Sequence, residues 1–210
     1  MLHSVNPVVL CYNNPMKLLL HTCCAPCSVQ CVEALEAEGI KPDLFWYNPN
    51  IHPFTEYRSR RDSLVCFARE KGLSLTLEDE YGLRLFIRGV SVIERSQNTE
   101  KKSGPRCGFC YRLRLERTAR MAKEKGFDAF SSTLLISPYQ NHGLIKQVGE
   151  ELAAAFGVEF LYRDLRPRFR QGQNQARGAG YYIQKYCGCI YSEEERFASG
   201  ESFVSKGSGP

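Results

Sequence analysis

Residues 17–27, Lys-Leu-Leu-Leu-His-Thr-Cys-Cys-Ala-Pro-Cys, decide the fold. A short apolar run such as residues 18–20 is typical of a buried strand in a parallel sheet. Pro26 suits the first turn of a following helix, and Gly39 ends that helix. The stretch therefore predicts a strand, a turn that carries cysteines, and a helix.

The rest of the chain repeats this alternation. Further strands are predicted over residues 44–47, 74–77, 129–136 and 158–162, and further helices over 55–71, 107–125 and 142–156. Residues 81–103 predict a short helix followed by a loop. Alternating strands and helices indicate an α/β fold with a three-layer parallel sheet. We expect a single catalytic α/β domain over 16–198, an irregular lead-in over 1–15 and a disordered tail over 199–210.

Composition narrows the class of protein. The chain has 210 residues, 43% of them hydrophobic and 24% charged, with a net charge of +5. These values are ordinary for a globular domain and argue against collagen, coiled coil or global disorder. No apolar run reaches the ~18–20 residues of a membrane span. Residues 1–12 lack the pattern of a signal peptide, so we expect a cytoplasmic protein with no membrane association.

Ten cysteines are many for a compartment that keeps thiols reduced. Seven of them fall in three groups, which are Cys23, Cys24 and Cys27; Cys107 and Cys110; and Cys187 and Cys189. Clusters of this kind predict metal or redox chemistry. Four converging thiolates suit either zinc or an iron–sulfur cluster, and a Cys-x-Cys pair can bind metal or close a strained redox disulfide.

The remaining cysteines need no special role. Cys31 and Cys66 lie among apolar residues of predicted helices, where a free cysteine packs as a small hydrophobic side chain. Cys11 in the lead-in is interpreted as incidental.

Two basic stretches predict contact with RNA. Residues 163–177 hold five arginines against one aspartate. The second stretch flanks Cys107 and contains Lys101, Lys102, Arg106, Arg112, Arg114, Arg117 and Arg120. Arginine suits both phosphates and the unstacked bases of RNA loops. Each stretch adjoins a cysteine group, which favours RNA contact over a merely solvated surface.

Five motifs, in order, resemble those of the cobalamin-independent epoxyqueuosine reductases, the QueH family. They are His21-Thr22-Cys23-Cys24-Ala25-Pro26-Cys27, Tyr47-Asn48-Pro49-Asn50-Ile51-His52-Pro53, Cys107-Gly108-Phe109-Cys110, residues 130–139 (Phe-Ser-Ser-Thr-Leu-Leu-Ile-Ser-Pro-Tyr) and Tyr186-Cys187-Gly188-Cys189-Ile190-Tyr191-Ser192. The resemblance extends from about Met16 to Phe197. It implies an adenine-nucleotide α-hydrolase-like (HUP-type) fold with a cysteine-bearing helical segment at its C-terminal end.

The resemblance also implies the chemistry. It makes Cys23, Cys24, Cys107 and Cys110 the ligands of a [4Fe–4S] cluster, and Cys187 and Cys189 a redox-active pair. Family members hold a second mononuclear metal, such as iron, beside the cluster, and Cys27 is then a candidate ligand because some members carry Asp at its position. The partition of the seven sulfurs among the sites stays open.

The implied reaction is the deoxygenation of epoxyqueuosine to queuosine at the wobble position of a tRNA. It takes two electrons and two protons and releases water, so a cofactor and an external ferredoxin- or flavodoxin-like donor are expected. Motif position makes Tyr139, His142, Tyr181 and Tyr186 candidate proton donors, although packing with a hydrogen-bonded hydroxyl is the more common role for each tyrosine.

Two other functions compete with this one. A zinc-stabilised RNA-binding module without redox activity explains the cysteines and the basic stretches. An ATP-using tRNA thiolase would need a glycine-rich phosphate loop after the first strand, where residues 23–27 contain no glycine.

Overall fold

The structure, a computed structural model, describes residues 16–97 and 103–198. The predicted lead-in over 1–15 and the predicted tail over 199–210 lie outside the described residues. The strands are β1 (Leu18–His21), β2 (Asp43–Trp46), β3 (Leu75–Leu77), β4 (Ala129–Ser132) and β5 (Glu159–Phe160). The helices are α1 (Ala25–Ala37), α2 (Phe54–Lys71), α3 (Leu83–Gln97), α4 (Ser103–Lys125), α5 (His142–Phe156), α6 (Phe169–Gly178) and α7 (Ile190–Phe197).

The five strands form one parallel sheet in the order β3-β2-β1-β4-β5. The last residue of β1, His21, pairs with Phe45 of β2 and with Ser132 of β4. The chain winds outward in one direction from β1 to β3 and in the other from β4 to β5. Sheets of this kind bind ligands outside the carboxyl ends of the strands where the order reverses, here between β1 and β4.

Alternate strand residues face two different helix layers. Leu18, Leu20 and Trp46 belong to a core that also contains side chains of α1, α2 and α6. Leu19 and Phe45, their immediate neighbours, belong to the core beneath α4 and α5. Because both faces of the sheet are covered, the central strands β1 and β4 are buried over their whole length. The three-layer α/β prediction is confirmed.

Two predicted strands are shorter than expected. The prediction of a strand over 129–136 is wrong beyond Ser132, because residues Thr133–Ile136 form a 3-10 turn. The Ser132 hydroxyl accepts a hydrogen bond from the Leu134 N–H at 3.2 Å and so caps that turn. The last strand pairs only over Glu159–Phe160, within the predicted 158–162. Both strands end early, which frees the following residues to turn over the sheet edge.

The region over 81–103 is more helical than predicted. It contains the 15-residue helix α3, and α4 begins at Ser103, four residues before the predicted start. Pro105 is compatible with a first turn, where its missing N–H costs nothing. Phe86 and Val90 of α3 pack against Cys110 of α4 in a separate small core. Residues 98–102 of the predicted loop lie outside the described part of the chain.

The C-terminal segment returns to the sheet edge. Helix α6 packs along α1, where Gly172 allows a close approach to the Pro26 carbonyl. Helix α7 begins directly after Cys189, which is its N-cap residue. The expected helical segment is therefore present, with its cysteines just before the helix. None of the helices within 16–97 and 103–198 has the length and apolar character needed to cross a bilayer.

Candidate functional site

Three buried thiols lie at the carboxyl end of β1. Cys23 follows the strand, Cys24 caps α1 in an extended conformation, and Cys27 lies in the first turn of α1. Their sulfur atoms all lie within 4.8 Å of one another. Cys23 Sγ and Cys24 Sγ are 3.8 Å apart. We call these three residues the buried triad, and their soft donor atoms could hold a metal ion.

The triad shares its protons unevenly. Hydrogen bonds from the Cys24 and Cys27 thiols hold the pKa of Cys23 well below its usual value. Burial raises the pKa of Cys24, and the hydrogen bond to Cys23 raises that of Cys27. Cys23 is thus the preferred thiolate, and binding of a metal would release the protons on its neighbours.

The other four predicted cysteines line one cavity. Cys107 and Cys110 are three residues apart on α4 and therefore share a helix face. Cys187 and Cys189 line the same cavity from the segment before α7. Cys189 also packs against the small core of Phe86, Val90 and Cys110. We call this space the cysteine cavity.

The turn between Cys187 and Cys189 requires a glycine. Gly188 has φ of +119°, and a Cβ there would lie 3.1 Å from both Arg60 Nη1 and Ile51 Cγ1. This turn brings the two thiols into one hydrogen-bonded pair. The hydrogen bond from Cys189, aided by Ser192 Oγ at 2.9 Å, lowers the pKa of Cys187 to about 5. The pKa of Cys189 rises for the same reason, so the pair consists of a reactive thiolate beside a proton-bearing thiol.

Arg114 connects the cysteine cavity with the buried triad. It is buried, and it donates from Nη2 to Cys110 Sγ at 3.1 Å and from Nε to the Cys110 carbonyl at 3.0 Å. Although burial opposes its charge, the thiolate forms of Cys110 and Cys23 raise the pKa of its guanidinium. Among the described residues no carboxylate forms an ion pair with it.

The buried charge of Arg114 bears on the kind of group that the cysteines hold. A buried guanidinium without an anion is costly. Burial raises the pKa of Cys110 to about 12, which disfavours a free thiolate there. A metal group ligated by several thiolates would be anionic and would compensate Arg114. The donor set and the buried charge therefore both fit a metal group ligated by thiolates, the class to which an iron–sulfur cluster belongs.

Arg60 makes a second connection. It lies in α2, is buried, and forms a 2.6 Å ion pair with Glu56. Its Nη1 and Nη2 donate to the carbonyls of Cys187 and Tyr186 at 3.1 and 2.9 Å. Burial opposes the charge of Arg60, but Cys24, Glu56 and Cys23 raise its pKa. The turn at Gly188 is thus held against the same arginine that faces the triad.

The cysteine cavity also contains an amide oxygen that has no hydrogen-bond partner among the described residues. Asn50 lines the cavity and is 1% exposed, and its Oδ1 has no hydrogen-bond partner among the described residues. Gln140 lines the same cavity and accepts a hydrogen bond from the Tyr111 hydroxyl at 2.8 Å. An unpaired buried oxygen costs about 1–3 kcal/mol, which a ligand that donates to Asn50 would recover.

The other predicted residues lie elsewhere. Cys31 is buried in the core as expected, and Cys66 is half-buried on α2. Cys11 lies outside the described residues. The candidate proton donors do not line the cysteine cavity, since Tyr181 and Tyr186 donate to Glu70 and the His52 carbonyl, His142 is buried beside Tyr162, and Tyr139 is exposed. The tyrosines that do line the cavity are Tyr111 and Tyr191.

The arginines that the sequence singled out around Cys107 are either buried or ion-paired. Arg106 and Arg114 are buried. The ion-pair partners of Arg112, Arg117 and Arg120 include Glu151, Glu78 and Glu116 respectively. Lys101 and Lys102 lie outside the described residues. Burial places the charges of Arg106 and Arg114 in the lining of the cysteine cavity, and RNA contact by this stretch stays a prediction.

Sequence reasoning overlooked the roles of Arg60, Asn50 and Arg114. Asn50 lies inside one of the recognised motifs, between Pro49 and Ile51. Arg114 lies four residues after Cys110, the spacing that places two side chains on one face of a helix. No local pattern around Arg60 indicates that it reaches Cys187, 127 residues away.

Comparisons with known proteins agree on one family. The family described as epoxyqueuosine reductase QueH matches residues 18–195. A relative of that name from Dehalococcoides mccartyi is 39% identical over 89% of this chain and 97% of its own. One from Thermotoga maritima is 32% identical over 85% of this chain and 91% of its own. Among solved structures, a protein described as a predicted subunit of tRNA methyltransferase from Methanocaldococcus jannaschii has a TM-score of 0.44 and 12% identity over 81% of this chain and 94% of that one.

Proposed function

The chain belongs to the epoxyqueuosine reductase QueH family, and on that premise we propose that it removes the epoxide oxygen of epoxyqueuosine at the wobble position of a tRNA in the cytoplasm. The epoxide takes up two electrons and two protons, which converts it to the alkene of queuosine and releases one molecule of water. The observation that carries the proposal is the arrangement of seven thiols in two groups, the buried triad and the cysteine cavity. Two buried arginines, Arg60 and Arg114, interact with residues of both groups.

We assign Cys23, Cys24, Cys107 and Cys110 as the residues that would hold a [4Fe–4S] cluster. Cys27 would then be free to help to hold a second, mononuclear iron. When bound, the cluster supplies electrons one at a time. The contact between Arg114 and Cys110 supports this assignment, because a buried cation stabilises an anionic thiolate group.

The Cys187–Cys189 pair is suited to supply the two electrons that the reaction takes up. Oxidation of the Cys187 thiolate and the Cys189 thiol to a disulfide yields two electrons and one proton, and water would supply the second proton that the reaction takes up. The lowered pKa of Cys187 favours its thiolate, while Cys189 retains a proton beside it. A ferredoxin- or flavodoxin-like donor would restore the reduced state.

Substrate binding is assigned to the polar lining of the cysteine cavity. The unpaired Oδ1 of Asn50 would accept a hydrogen bond from a hydroxyl or N–H of the modified base. Gln140, whose side chain is held by Tyr111, would contact the same nucleotide. Both amides orient the substrate and take no part in electron transfer.

Anaerobic purification followed by iron, sulfide and absorbance analysis tests the assignment. The wild type should be brown, with iron and sulfide in cluster proportions, and Cys107→Ser should lose both the colour and turnover. Cys66→Ser, a change of the half-buried cysteine on α2, is the matched control and should retain both. A colourless protein that contains zinc would instead support the RNA-binding module.

A further inference from the structure

We propose that Tyr139, Phe169, Arg168 and Arg170 form a stacking platform for an unpaired base of the tRNA anticodon loop, next to the modified nucleotide. The inference rests on the proposed function and adds to it a surface that would grip the RNA. We call these four residues the Tyr139 platform.

The first step is the exposure of an aromatic ring. Tyr139 is 82% exposed, far more than the other large apolar side chains on this surface. Its N–H donates to Ser137 Oγ at 3.3 Å, and its ring meets that of Phe169 edge to face at 5.8 Å. The ring is therefore supported while most of its surface stays open. A supported, solvated tyrosine suits stacking on a base, which is sequence-tolerant because every base has a π-face.

The second step is the position of the ring at the rim of the site. Gln140, the next residue, lines the cysteine cavity. Phe169, which supports the ring, is the first residue of α6. Gly172 in the same helix lies against α1, where a Cβ on Gly172 would be 3.2 Å from the carbonyl oxygen of Pro26. Pro26 immediately precedes Cys27 of the buried triad. The platform is thus joined along the chain to Gln140 of the cysteine cavity and packs, through α6, on the first turn of α1, which carries Cys27.

The third step is the charge of the surface. Arg168 and Arg170 flank Phe169, and both are exposed. Within the described residues neither pairs with a carboxylate, and Arg168 donates instead to Gln30 Oε1 at 3.2 Å. Arg163 and Arg166, by contrast, are paired with Glu38 and Asp164. Two exposed arginines without a carboxylate partner therefore flank Phe169, the residue that supports the exposed ring, and they are available to phosphates beside a stacked base.

An anticodon stem-loop that carries epoxyqueuosine tests the platform with the intact holoenzyme. Tyr139→Ala should weaken binding by about ten- to a hundred-fold, whereas Tyr139→Phe should stay within about three-fold of the wild type, because stacking needs only the ring. Iron content should not change in either variant. Val65→Ala, which shortens an exposed apolar side chain on α2, is the control and should bind as the wild type does.

Removal of a base from the RNA identifies the stacking partner. In stem-loops that lack the base on one or the other side of the modified nucleotide, the penalty of Tyr139→Ala should disappear for one of the two. A penalty that persists with both RNAs, or normal binding by Tyr139→Ala, overturns the platform. Tyr139→Ala could also bind the RNA normally but turn over more slowly only when a protein donor supplies the electrons. That result would assign the surface to the donor and would likewise overturn the platform.

The wild-type control separates this inference from the proposed function. If the wild type neither binds nor reduces the modified stem-loop, the proposed function fails. If it does both and Tyr139→Ala binds equally well, only the platform fails.

Discussion

At the residue scale, the thiols of Cys187 and Cys189 differ in pKa. The turn at Gly188 allows the Cys189 thiol to donate a hydrogen bond to the sulfur of Cys187. Cys187 bears the lowered pKa, and Cys189 keeps its proton. Neither belongs to the buried triad, although Arg60 contacts both the turn and, through charge, Cys23 and Cys24. The structure therefore places a thiol pair of unequal pKa in the cysteine cavity beside Cys107 and Cys110, apart from the buried triad.

This separation predicts the behaviour of Cys189→Ser. The variant should retain the absorbance and iron of the wild type but form no queuosine, because a single thiol cannot close a disulfide within the chain. Absorbance spectra and product analysis of the tRNA check both halves of the prediction. Normal product from Cys189→Ser would remove the dithiol from the reaction.

His52 predicts an acid-sensitive contribution to stability. Its ring is buried against Tyr81 and Phe86, and burial lowers its pKa to about 4 from an ordinary 6.5. Between pH about 4 and about 6.5, His52 therefore binds a proton in the unfolded chain but not in the folded chain. Stability is complete above pH about 6.5 and falls by about 1.4 kcal/mol per unit as the pH drops towards 4.

Replacement of His52 by Phe should remove this contribution and fill the same space. In urea unfolding, the difference in unfolding free energy between His52→Phe and the wild type should shift in favour of the variant as the pH falls from about 6.5 to about 4. A difference that does not vary with pH would show that His52 does not titrate in this way. His21, which also has its pKa lowered to about 4 by burial, is present in both proteins.

At the element scale, α3 and α4 hold the Cys107–Cys110 turn in place through a close approach. A Cβ on Gly89 would lie 2.1 Å from Cζ of Phe109, the residue between the two cysteines. Gly149 makes a similar approach in α5, where a Cβ would lie 2.3 Å from the Phe160 ring of β5. The two contacts are similarly tight. The Gly89 contact lies against a residue between two candidate ligands, whereas neither Gly149 nor Phe160 is close in sequence to a candidate ligand.

Overpacking at these two glycines should have different consequences. Gly89→Ala and Gly149→Ala should each lower the unfolding free energy by about 1–3 kcal/mol. Only Gly89→Ala should also lower the iron content, because relief of its clash moves the Cys107–Cys110 turn. Thermal unfolding and iron analysis of both variants check this, and equal iron loss in the two would contradict it.

At the scale of the whole molecule, charge is divided between the interior and one surface. Arg60 and Arg114 are buried beside thiols, while Arg168 and Arg170 are exposed on and before α6. The net charge of +5 therefore understates the local field that an RNA would meet at the rim of the site.

Salt should weaken tRNA binding steeply, because phosphate contacts release counterions. An increase from about 50 to about 200 mM salt should lower the affinity about ten-fold or more, and Arg170→Gln should reduce the slope. Fluorescence anisotropy over a salt series measures both effects. Affinity that stays constant over this range would exclude phosphate contacts as the basis of binding.

The sequence by itself determined the parts that depend on local patterns. Apolar runs, Pro26 and the helix-ending glycines Gly39, Gly72 and Gly157 locate most strands and helices to within a few residues, because periodicity and backbone conformation are properties of neighbouring residues. Cysteine spacing likewise indicated which seven thiols to expect at the site. The strand predicted over 129–136 was too long because the apolar residues continue past the end of β4. The Ser132 hydroxyl caps a turn there and ends the strand.

Only the tertiary structure decided how those thiols are divided and what surrounds them. Arg60 reaches Cys187 across 127 residues, and Gly172 meets Pro26 across more than a hundred. The burial of Arg114 and the exposure of Tyr139 follow from which helix covers which strand end. Such facts have no local signature, because burial and charge pairing depend on contacts between segments that are distant along the chain and meet only when the sheet is formed.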